Sequence, residues 1–359
     1  MAEKVFVQGN EAVGLGALAA DCHAFFGYPI TPQNEITEWF AREFPKRDRV
    51  FLQSASETGS INMLHGGAVA GVRAMTSTSG PGWSLMQEGL SNLANAELPC
   101  VIVDAQRGWN TTRQAQQDYL SITRGGGFGD YRNIALAPAS VQETHDLVQL
   151  AFYLADKYRN PVIVVTDAVL GQMMEPLELK TLEFGPLPQK DWAVTGKADH
   201  ADGKKRLSTI GQGMLPTPEY PNLYTYWGKY KEKIEKMKEE VRYQAFEIDD
   251  AELVVVAFGY VGRVCRDSVL WARAKGLKVG LIRPITLWPF PSQPIKEKAR
   301  QGAKFLVAED NLGQMIEDVS AATGGTSDIH LVSILDRHLP TEEGAIYPEK
   351  VLEKIEELF

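Results

Sequence analysis

The sequence predicts an α/β protein in which a doubly wound unit and a second α/β unit are joined by a polar connector. Short, continuous apolar runs bounded by turn residues are typical of buried parallel strands, and here helical segments alternate with them. This pattern occupies residues 1–186 and again residues 251–359. The segment 187–250 between them changes to a polar, Gly/Pro-rich and then Lys/Glu-rich composition. The length of 359 residues agrees with two to three domains.

In the first unit, KVFVQ predicts a strand, and the apolar segment AVGLGALAADCHAFFG predicts a helix that stops at Gly27. VFLQ, RAMTSTS, LPCVIVDAQ and PVIVVTDA predict further strands, and SETGSINMLHGGAVAGV predicts a helix whose small residues allow close packing. ITEWFAREFP predicts an amphipathic helix, because four large apolar residues are spaced for one face. They are Ile36, Trp39, Phe40 and Phe44.

The connector ends in WGKYKEKIEKMKEEVRY, whose dense Lys/Glu pattern predicts an exposed helix with i,i+4 ion pairs. In the second unit, four segments predict strands: ELVVVAFGY, LKVGLIRPITLWPFP, AKFLVAED and DIHLVSIL. VGRVCRDSVLWARAKG and the final PEKVLEKIEELF predict helices.

Composition excludes several classes of protein. The formal net charge is -9 and no Lys/Arg-rich block occurs, which argues against a nucleic-acid surface. Cys22, Cys100 and Cys265 form no CxxC pair, so we expect buried apolar thiols rather than zinc or iron–sulfur ligands. MAEKVFVQGNE lacks the apolar core of a signal peptide, and no run reaches the roughly 18 apolar residues of a membrane span. We therefore expect a cytoplasmic protein without a membrane span, and scarce cysteine suits that compartment.

Familiar catalytic signatures are absent from the sequence. It contains no GxxxxGK[ST], HExxH or GxSxG pattern. Gly14-Leu15-Gly16 lacks the last glycine of a dinucleotide fingerprint, and His65 stands alone in a predicted helix, where a structural role is the simpler interpretation.

Three clusters remain, and all follow predicted strands. In YPITP, two prolines restrict the backbone around Thr31, which predicts a rigid turn. In QSASETGSINM, Glu57 opens a helix, where the helix dipole alone could explain a carboxylate. In TSTSGPGWSLMQEG, the Gly-Pro-Gly turn brings backbone close to the carboxyl edge of the sheet. Open α/β sheets bind ligands at that edge, so the three clusters together predict a ligand site.

These segments resemble the α subunit of 2-oxoacid:ferredoxin oxidoreductases. The resemblance covers nearly the whole chain and is most specific in the order of its motifs. They are GYPITPQNEITE, SETGSIN, TSTSGPGWSLMQEGL, LPCVIVDAQRG, GDYRNIALAPASVQE, KYRNPVIVVTDAVLGQMMEP, VGLIRPITLWPFP and AEDNLGQM. Within the family, the branched-chain (2-oxoisovalerate) type is the most similar and the 2-oxoglutarate type comes next.

The resemblance implies a thiamine-diphosphate enzyme. Residues 1–186 would form its pyrimidine-binding domain, 187–250 a connector, and 251–359 a transketolase C-terminal-like domain. Glu57 matches the catalytic glutamate that hydrogen-bonds the aminopyrimidine N1′ and so stabilises the imino tautomer that takes the C2 proton. The other residues implied to bind the cofactor are Tyr28, Pro29, Ile30, Ser79 and Gly80.

The resemblance also implies substrate contacts. The Thr31 hydroxyl would meet the 2-oxoacid carboxylate or the cofactor adduct, the alternative being a threonine that caps the following helix. Arg107 matches the arginine that pairs with a carboxylate, and Arg113 is a second candidate. Trp109 stands where the branched-chain and 2-oxoglutarate types carry QRGGP. Its indole could fill the side-chain pocket and so favour small acyl groups, or it could stack against an aromatic acyl group. Both alternatives stay open.

Partner subunits are implied as well. Binding of the diphosphate and its magnesium needs a GDG motif followed by an asparagine, and GDYRN lacks the second glycine of that motif. The cysteine runs that would bind iron–sulfur clusters are missing as well. A β subunit would therefore hold the diphosphate, Mg²⁺ and a [4Fe-4S] cluster, with no metal site in this chain. A γ subunit, a ferredoxin-like subunit and ferredoxin itself are the further implied partners.

The implied reaction is the reversible oxidative decarboxylation of a 2-oxoacid with coenzyme A to acyl-CoA, CO₂ and reduced ferredoxin. Two alternatives stay open. One is a transketolase- or decarboxylase-like thiamine subunit without iron–sulfur partners, and the other is a non-catalytic scaffold of the same fold.

Overall fold

The computed structural model describes residues 4–109, 111–196, 200, 203, 205–206, 221–336 and 345–359. Much of the predicted connector therefore lies outside the described residues. The strands are β1 (Lys4–Gln8), β2 (Ala24–Gly27), β3 (Val50–Gln53), β4 (Ala74–Thr78), β5 (Cys100–Gln106), β6 (Ile134–Leu136), β7 (Pro161–Asp167), β8 (Met174–Glu178), β9 (Tyr243–Phe246), β10 (Leu253–Val256), β11 (Val279–Pro284), β12 (Thr286–Trp288), β13 (Lys304–Ala308) and β14 (Ile329–Val332).

The helices connect these strands in the alternating manner of an α/β fold. They are α1 (Gly9–Ala19), α2 (Asn34–Glu43), α3 (Glu57–Val69), α4 (Gly80–Asn95), α5 (Tyr119–Arg124), α6 (Val141–Tyr158), α7 (Ala168–Gln172), α8 (Leu223–Met237), α9 (Gly259–Ala274), α10 (Ser292–Arg300), α11 (Met315–Thr323) and α12 (Pro348–Glu357).

Within the described part of the chain, the larger sheet has the strand order β12-β6-β7-β5-β4-β2-β3. Its neighbours are parallel except for β12, which pairs antiparallel with β6. Strands β5 and β7 are buried at every residue, which explains their continuous apolar sequences. Alternate residues face opposite cores, so Phe25 packs with α2 on one side and Phe26 packs with α3 and α4 on the other. The predicted doubly wound arrangement is confirmed.

The second sheet has the order β14-β13-β10-β11-β9, with only β9 antiparallel among its described strands. Helices α9 and α12 pack on one face, and their buried residues share a core with β10, β11 and β13. Strands β1 and β8 form a separate antiparallel pair. No helix in the described ranges is long and apolar enough to span a bilayer. All three cysteines are buried and unpaired, as expected.

One predicted helix is wrong over half its length. The segment AVGLGALAADCHAFFG does not continue to Gly27, because α1 ends at Ala19 and the chain turns at Asp21, whose φ is 58°. Ala24–Gly27 then forms β2, between β3 and β4. Both faces of this strand are buried, so its apolar residues run without interruption and mimic a helix in the sequence.

The second unit contributes one strand to the first. Thr286–Trp288, predicted as part of a strand in the second unit, pairs with β6 in the larger sheet. The helix predicted near the end of the connector is present as α8, although Tyr226 and Tyr230 on it are buried. The division of the chain at residues 186 and 251 stays a prediction.

Candidate functional site

The predicted site residues follow four neighbouring parallel strands and therefore lie along one edge of the larger sheet. The turn 28–32 follows β2, Glu57 follows β3, Ser79 and Gly80 follow β4, and Arg107 follows β5. The order of these strands is β5-β4-β2-β3. The carboxyl edge of such a sheet is where ligands bind in open α/β folds.

A buried glutamine holds the YPITP turn in place. The Gln33 side chain donates to the Tyr28 carbonyl at 2.9 Å and accepts from Ser77 Oγ at 2.5 Å. Arg107 Nη1 donates to the Thr31 carbonyl at 2.9 Å. The Thr31 hydroxyl accepts a long bond of 3.4 Å from Asn34. Because Gln33 occupies the N-cap position of α2, Thr31 is not the cap that the alternative reading required. Gln33 was missed because a lone glutamine after a turn carries no sequence signal.

Glu57 is almost fully buried, with 5% of its surface exposed, although it is the first residue of α3. Ser56 is the N-cap, and its hydroxyl accepts from the Gly59 N–H at 3.1 Å. The carboxylate is thus not used to cap the helix, and it forms no hydrogen bond or ion pair with any described residue. It lies against α4, where a Cβ on Gly82 would sit 2.7 Å from Glu57 Oε1. Only a glycine fits there without displacing the carboxylate.

Several buried polar atoms around this edge have no hydrogen-bond partner among the described residues. Buried polar groups are normally paired, so a cluster of unpaired ones indicates a place for a bound group. Thr78 Oγ1 faces the same Gly82 position as Glu57. The unpartnered atoms at the edge include Asn34 Oδ1, Thr78 Oγ1, Ser79 Oγ, Gln106 Nε2, Gln106 Oε1 and Arg107 Nε. Free donors and acceptors at the carboxyl edge of a sheet fit a heteroaromatic ligand with polar ring atoms.

A cavity of about 510 Å³ opens next to this edge and is shared between the two units. Arg107 and Trp109 both line it, and the indole of Trp109 is 83% exposed. Arg113 is not among the lining residues, and its carbonyl instead accepts from the Gly108 N–H at 2.9 Å. The full lining is Gly80, Pro81, Ser84, Arg107, Gly108, Trp109, Gln117, Asp118, Asn311, Leu312 and Gln314.

The AEDNLGQM motif of the second unit fixes the loop that follows Arg107. Asn311 Nδ2 donates to the Gln116 carbonyl at 2.7 Å, and Gln116 N donates to the Asp310 carbonyl at 2.8 Å. The Tyr260 hydroxyl in turn donates to Asp310 Oδ2 at 2.5 Å. These buried bonds tie the cavity wall to the second sheet.

Two carboxyl groups at the site were not found from the sequence. Asp104 is fully buried in β5, and Asp118 immediately precedes α5. Burial raises the pKa of Asp104 well above its ordinary value. Burial also raises the pKa of Asp118 to about 6, although the hydrogen bond with Asp104 and the charge of Arg107 oppose that rise. The available signal was an acidic residue inside the apolar strand sequence CVIVDAQ.

Among the described residues, no group of three or more His, Cys, Asp or Glu side chains could hold a metal ion. The site therefore offers carboxyl groups, a guanidinium and hydroxyls beside a cavity of about 510 Å³. This donor set fits an organic cofactor and an anionic substrate.

Comparisons with known proteins agree with the sequence analysis. Residues 15–242 match the family described as pyruvate flavodoxin/ferredoxin oxidoreductase, thiamine diphosphate-binding, and residues 251–343 match pyruvate:ferredoxin oxidoreductase core domain II. Ketoisovalerate oxidoreductase subunit VorB of Methanothermobacter thermautotrophicus is 48% identical over 356 residues, covering 98% of this chain and 97% of its own length. 2-Oxoglutarate synthase subunit KorA of Methanothermobacter marburgensis is 36% identical and covers 99% of each chain.

A solved structure extends the comparison to three dimensions. The 2-oxoglutarate:ferredoxin oxidoreductase from Magnetococcus marinus, with 2-oxoglutarate, coenzyme A and succinyl-CoA bound, superposes with a TM-score of 0.83 at 25% identity. The match covers 99% of this chain and 65% of that one. The relative is thus about half as long again as the chain described here.

Proposed function

The chain belongs to the pyruvate flavodoxin/ferredoxin oxidoreductase family, and from that premise we propose that it is the α subunit of a thiamine-diphosphate-dependent 2-oxoacid:ferredoxin oxidoreductase. The reaction converts a 2-oxoacid and coenzyme A to acyl-CoA and CO₂, with two electrons passed to ferredoxin, and it is reversible. The substrate is a branched-chain 2-oxoacid such as 2-oxoisovalerate. The higher identity to a ketoisovalerate oxidoreductase subunit, 48% against 36% for a 2-oxoglutarate synthase subunit, supports this choice.

The observation that carries the proposal is the state of the Glu57 carboxylate. It is buried, it does not cap α3, and it has no hydrogen-bond or ion-pair partner among the described residues. Thiamine diphosphate, when bound, supplies the carbanion that adds to the keto carbon of the 2-oxoacid. Glu57 would hold a proton between its carboxylate and N1′ of the aminopyrimidine. Ser79, Gly80 and the turn formed by Tyr28, Pro29 and Ile30 would surround that ring.

Arg107 and Thr31 would hold the 2-oxoacid. The guanidinium is anchored at one end by the Thr31 carbonyl, and its buried Nε has no partner among the described residues. A guanidinium binds a carboxylate through two parallel N–H donors, so the free edge suits the substrate carboxylate. The Thr31 hydroxyl keeps its own hydrogen available to donate. Trp109 would line the cavity on the side of the acyl group. Arg113, on the adjacent loop, would be a second positive charge for the substrate carboxylate.

The remaining parts of the enzyme belong to other subunits in this proposal. A β subunit would bind the diphosphate, Mg²⁺ and a [4Fe-4S] cluster, and γ and ferredoxin-like subunits would complete the assembly. Electrons would pass to ferredoxin, and the complex would work in the cytoplasm. The two relatives are named as subunits, one of a ketoisovalerate oxidoreductase and one of a 2-oxoglutarate synthase, and this supports a multi-chain enzyme.

Purification of the native complex tests the proposal directly. The complex is assayed with a dye acceptor against 2-oxoisovalerate, pyruvate, 2-oxoglutarate and phenylpyruvate. We expect cluster absorbance, bound thiamine diphosphate and the highest kcat/KM with 2-oxoisovalerate. Absence of a cluster-bearing partner would favour the transketolase- or decarboxylase-like alternative.

A substitution at Glu57 distinguishes a catalytic subunit from a non-catalytic scaffold of the same fold. Glu57→Gln keeps the shape of the side chain but removes its charge, and we expect turnover to fall at least tenfold, because a hydrogen bond to a charged group contributes about 1.5–3 kcal/mol. Glu38→Gln, on the exposed face of α2, is the matched control and should leave turnover unchanged. Full activity of the Glu57→Gln complex would support the non-catalytic reading.

A further inference from the structure

We propose that Gln33 and Asn10 are positioning residues, which hold the turn of residues 28–32 so that the Thr31 hydroxyl meets the 2-oxoacid. The inference rests on the proposed function, because it takes Thr31 and Arg107 as the residues that bind the substrate. Both positioning side chains are buried, and their amide nitrogens donate to the turn itself. Neither is therefore assigned a contact with the substrate or the cofactor.

The Gln33 amide joins the start of the turn to strand β4 and helix α2. Its Nε2 donates to the Tyr28 carbonyl at 2.9 Å, and its Oε1 accepts from Ser77 Oγ at 2.5 Å and from Thr37 Oγ1 at 3.1 Å. A backbone carbonyl only accepts, so the amide nitrogen must face Tyr28 and the oxygen must face the two hydroxyls. The Gln33 N–H also donates to the Ile30 carbonyl at 3.0 Å. The side chain and the backbone of one residue thus fold the turn onto the sheet.

Asn10, on helix α1, holds the other end of the turn. Its Nδ2 donates to the Pro32 carbonyl and to Glu35 Oε2, each at 2.8 Å. An amide nitrogen carries two hydrogens, so both bonds form together. Arg107 Nη1 donates to the Thr31 carbonyl at 2.9 Å. The carbonyls before and after the second proline of the turn are therefore both held by side chains from other elements.

These bonds to the backbone set the direction of the Thr31 hydroxyl. A β-branched side chain has few χ1 rotamers, so the position of its hydroxyl follows the position of the backbone. The hydroxyl accepts a long bond of 3.4 Å from Asn34 Nδ2 and donates to no described residue, which leaves its hydrogen for a ligand. Without the Gln33 amide, the turn loses its bond to the sheet and the hydroxyl loses its alignment. A misplacement of about 1 Å at a binding group can cost about a hundredfold in rate.

Ligand binding to the whole complex tests the role of Gln33. The probe is 2-hydroxyisovalerate, which has a carboxylate and a branched side chain but no keto carbon to react, and its Kd is measured by isothermal titration. Gln33→Met removes the amide at nearly the same side-chain size. We expect the Kd to rise by about tenfold to a hundredfold, because the Thr31 hydroxyl is misplaced. A native Kd in Gln33→Met would overturn the inference.

Gln149→Met is the matched control for the loss of a buried amide. Gln149 is also buried, and it lies on α6 outside the predicted site. Its Nε2 donates to the Lys180 carbonyl at 3.2 Å, and its Oε1 accepts from the Leu182 N–H at 2.8 Å. Both variants should lower the thermal midpoint of the complex, but Gln149→Met should keep the native Kd. An equal rise in Kd in the two variants would show general structural damage and overturn the inference.

Two milder variants decide the question if the Gln33→Met complex does not assemble. Ser77→Ala removes the hydroxyl that donates to Gln33 Oε1, and Asn10→Ala removes the bond to the Pro32 carbonyl. Each should raise the Kd by about two- to tenfold, the range that corresponds to one net hydrogen bond. A native Kd in both variants would refute the positioning role.

Thr31→Val separates this inference from the proposed function, because it removes the hydroxyl and keeps the shape of the side chain. If this variant binds 2-hydroxyisovalerate as tightly as the native complex, the assignment of Thr31 to the substrate fails. If it binds more weakly while Gln33→Met binds normally, the proposed function stands and only the positioning role is refuted. If Gln33 acts through the hydroxyl, Gln33→Met should add little in the Thr31→Val background, whereas additive losses would overturn the inference.

Discussion

A single methyl group at position 82 should disturb the cofactor site without altering any proposed catalytic residue. In Gly82→Ala, the new Cβ would lie 2.7 Å from both Cγ and Oε1 of Glu57 and would also overlap Thr78 Oγ1. Ordinary van der Waals contact begins near 3.4 Å, so the Glu57 carboxylate must move by about 0.7 Å (3.4 − 2.7) or more. The alternative is a shift of α4, which carries Gly82.

A displacement of this size lengthens a hydrogen bond of about 2.7–2.9 Å beyond its effective range. The loss of a hydrogen bond to a charged group corresponds to about 1.5–3 kcal/mol. At about 1.4 kcal/mol per tenfold change, we expect turnover to fall roughly 10- to 150-fold. Overpacking should also lower the free energy of unfolding by about 1–3 kcal/mol.

The assay measures kcat, the affinity for thiamine diphosphate and the thermal midpoint of the purified complex. Gly228→Ala is the matched control, because Gly228 also lies within a helix but a Cβ there would contact nothing within 4 Å. The control should keep native activity and gain a little stability from the better helix former. Native turnover and cofactor affinity in Gly82→Ala would refute the placement of Glu57 against the cofactor.

Three further predictions follow from the described contacts. Trp109→Ala should raise kcat/KM for phenylpyruvate relative to 2-oxoisovalerate by about tenfold or more if the indole fills the acyl pocket, and a fall in that ratio would show stacking instead. Burial raises the pKa of Asp167 to about 7 in the folded state, above its value in the unfolded chain. Between about pH 4 and pH 7 the folded state therefore binds more protons than the unfolded state, and the free energy of unfolding falls as the pH rises. Asp167→Asn should remove that slope, at most about 1.4 kcal/mol per pH unit in denaturant titrations, and an unchanged slope would contradict the assignment. Glu143→Ala leaves the buried Arg283 without its bidentate partner, at 2.6 and 3.0 Å, and should cost about 2 kcal/mol or more of unfolding free energy. The same change at the exposed Glu252 should cost less than about 1 kcal/mol, and equal losses would show that burial of the pair does not matter.

Local patterns were sufficient for most of the larger sheet. Strands β5 and β7 are buried on both faces, so their apolar runs could be recognised without knowing their neighbours. Parallel strands end at a common edge, so the motifs after β2, β3, β4 and β5 could be expected to converge. The same logic failed for β2, because a short apolar segment after a helix has no periodicity to mark the change.

The sequence by itself determined the alternation of strands and helices, the turn around Thr31 and the placement of Glu57 at a strand-to-helix junction, because these depend on residues close together in the chain. Only the tertiary structure decided that Gly82 leaves room for the Glu57 carboxylate and that Arg107 donates to the Thr31 carbonyl. These contacts join residues on different elements. Their energies come from burial and from the absence of competing partners, which only the packed chain creates.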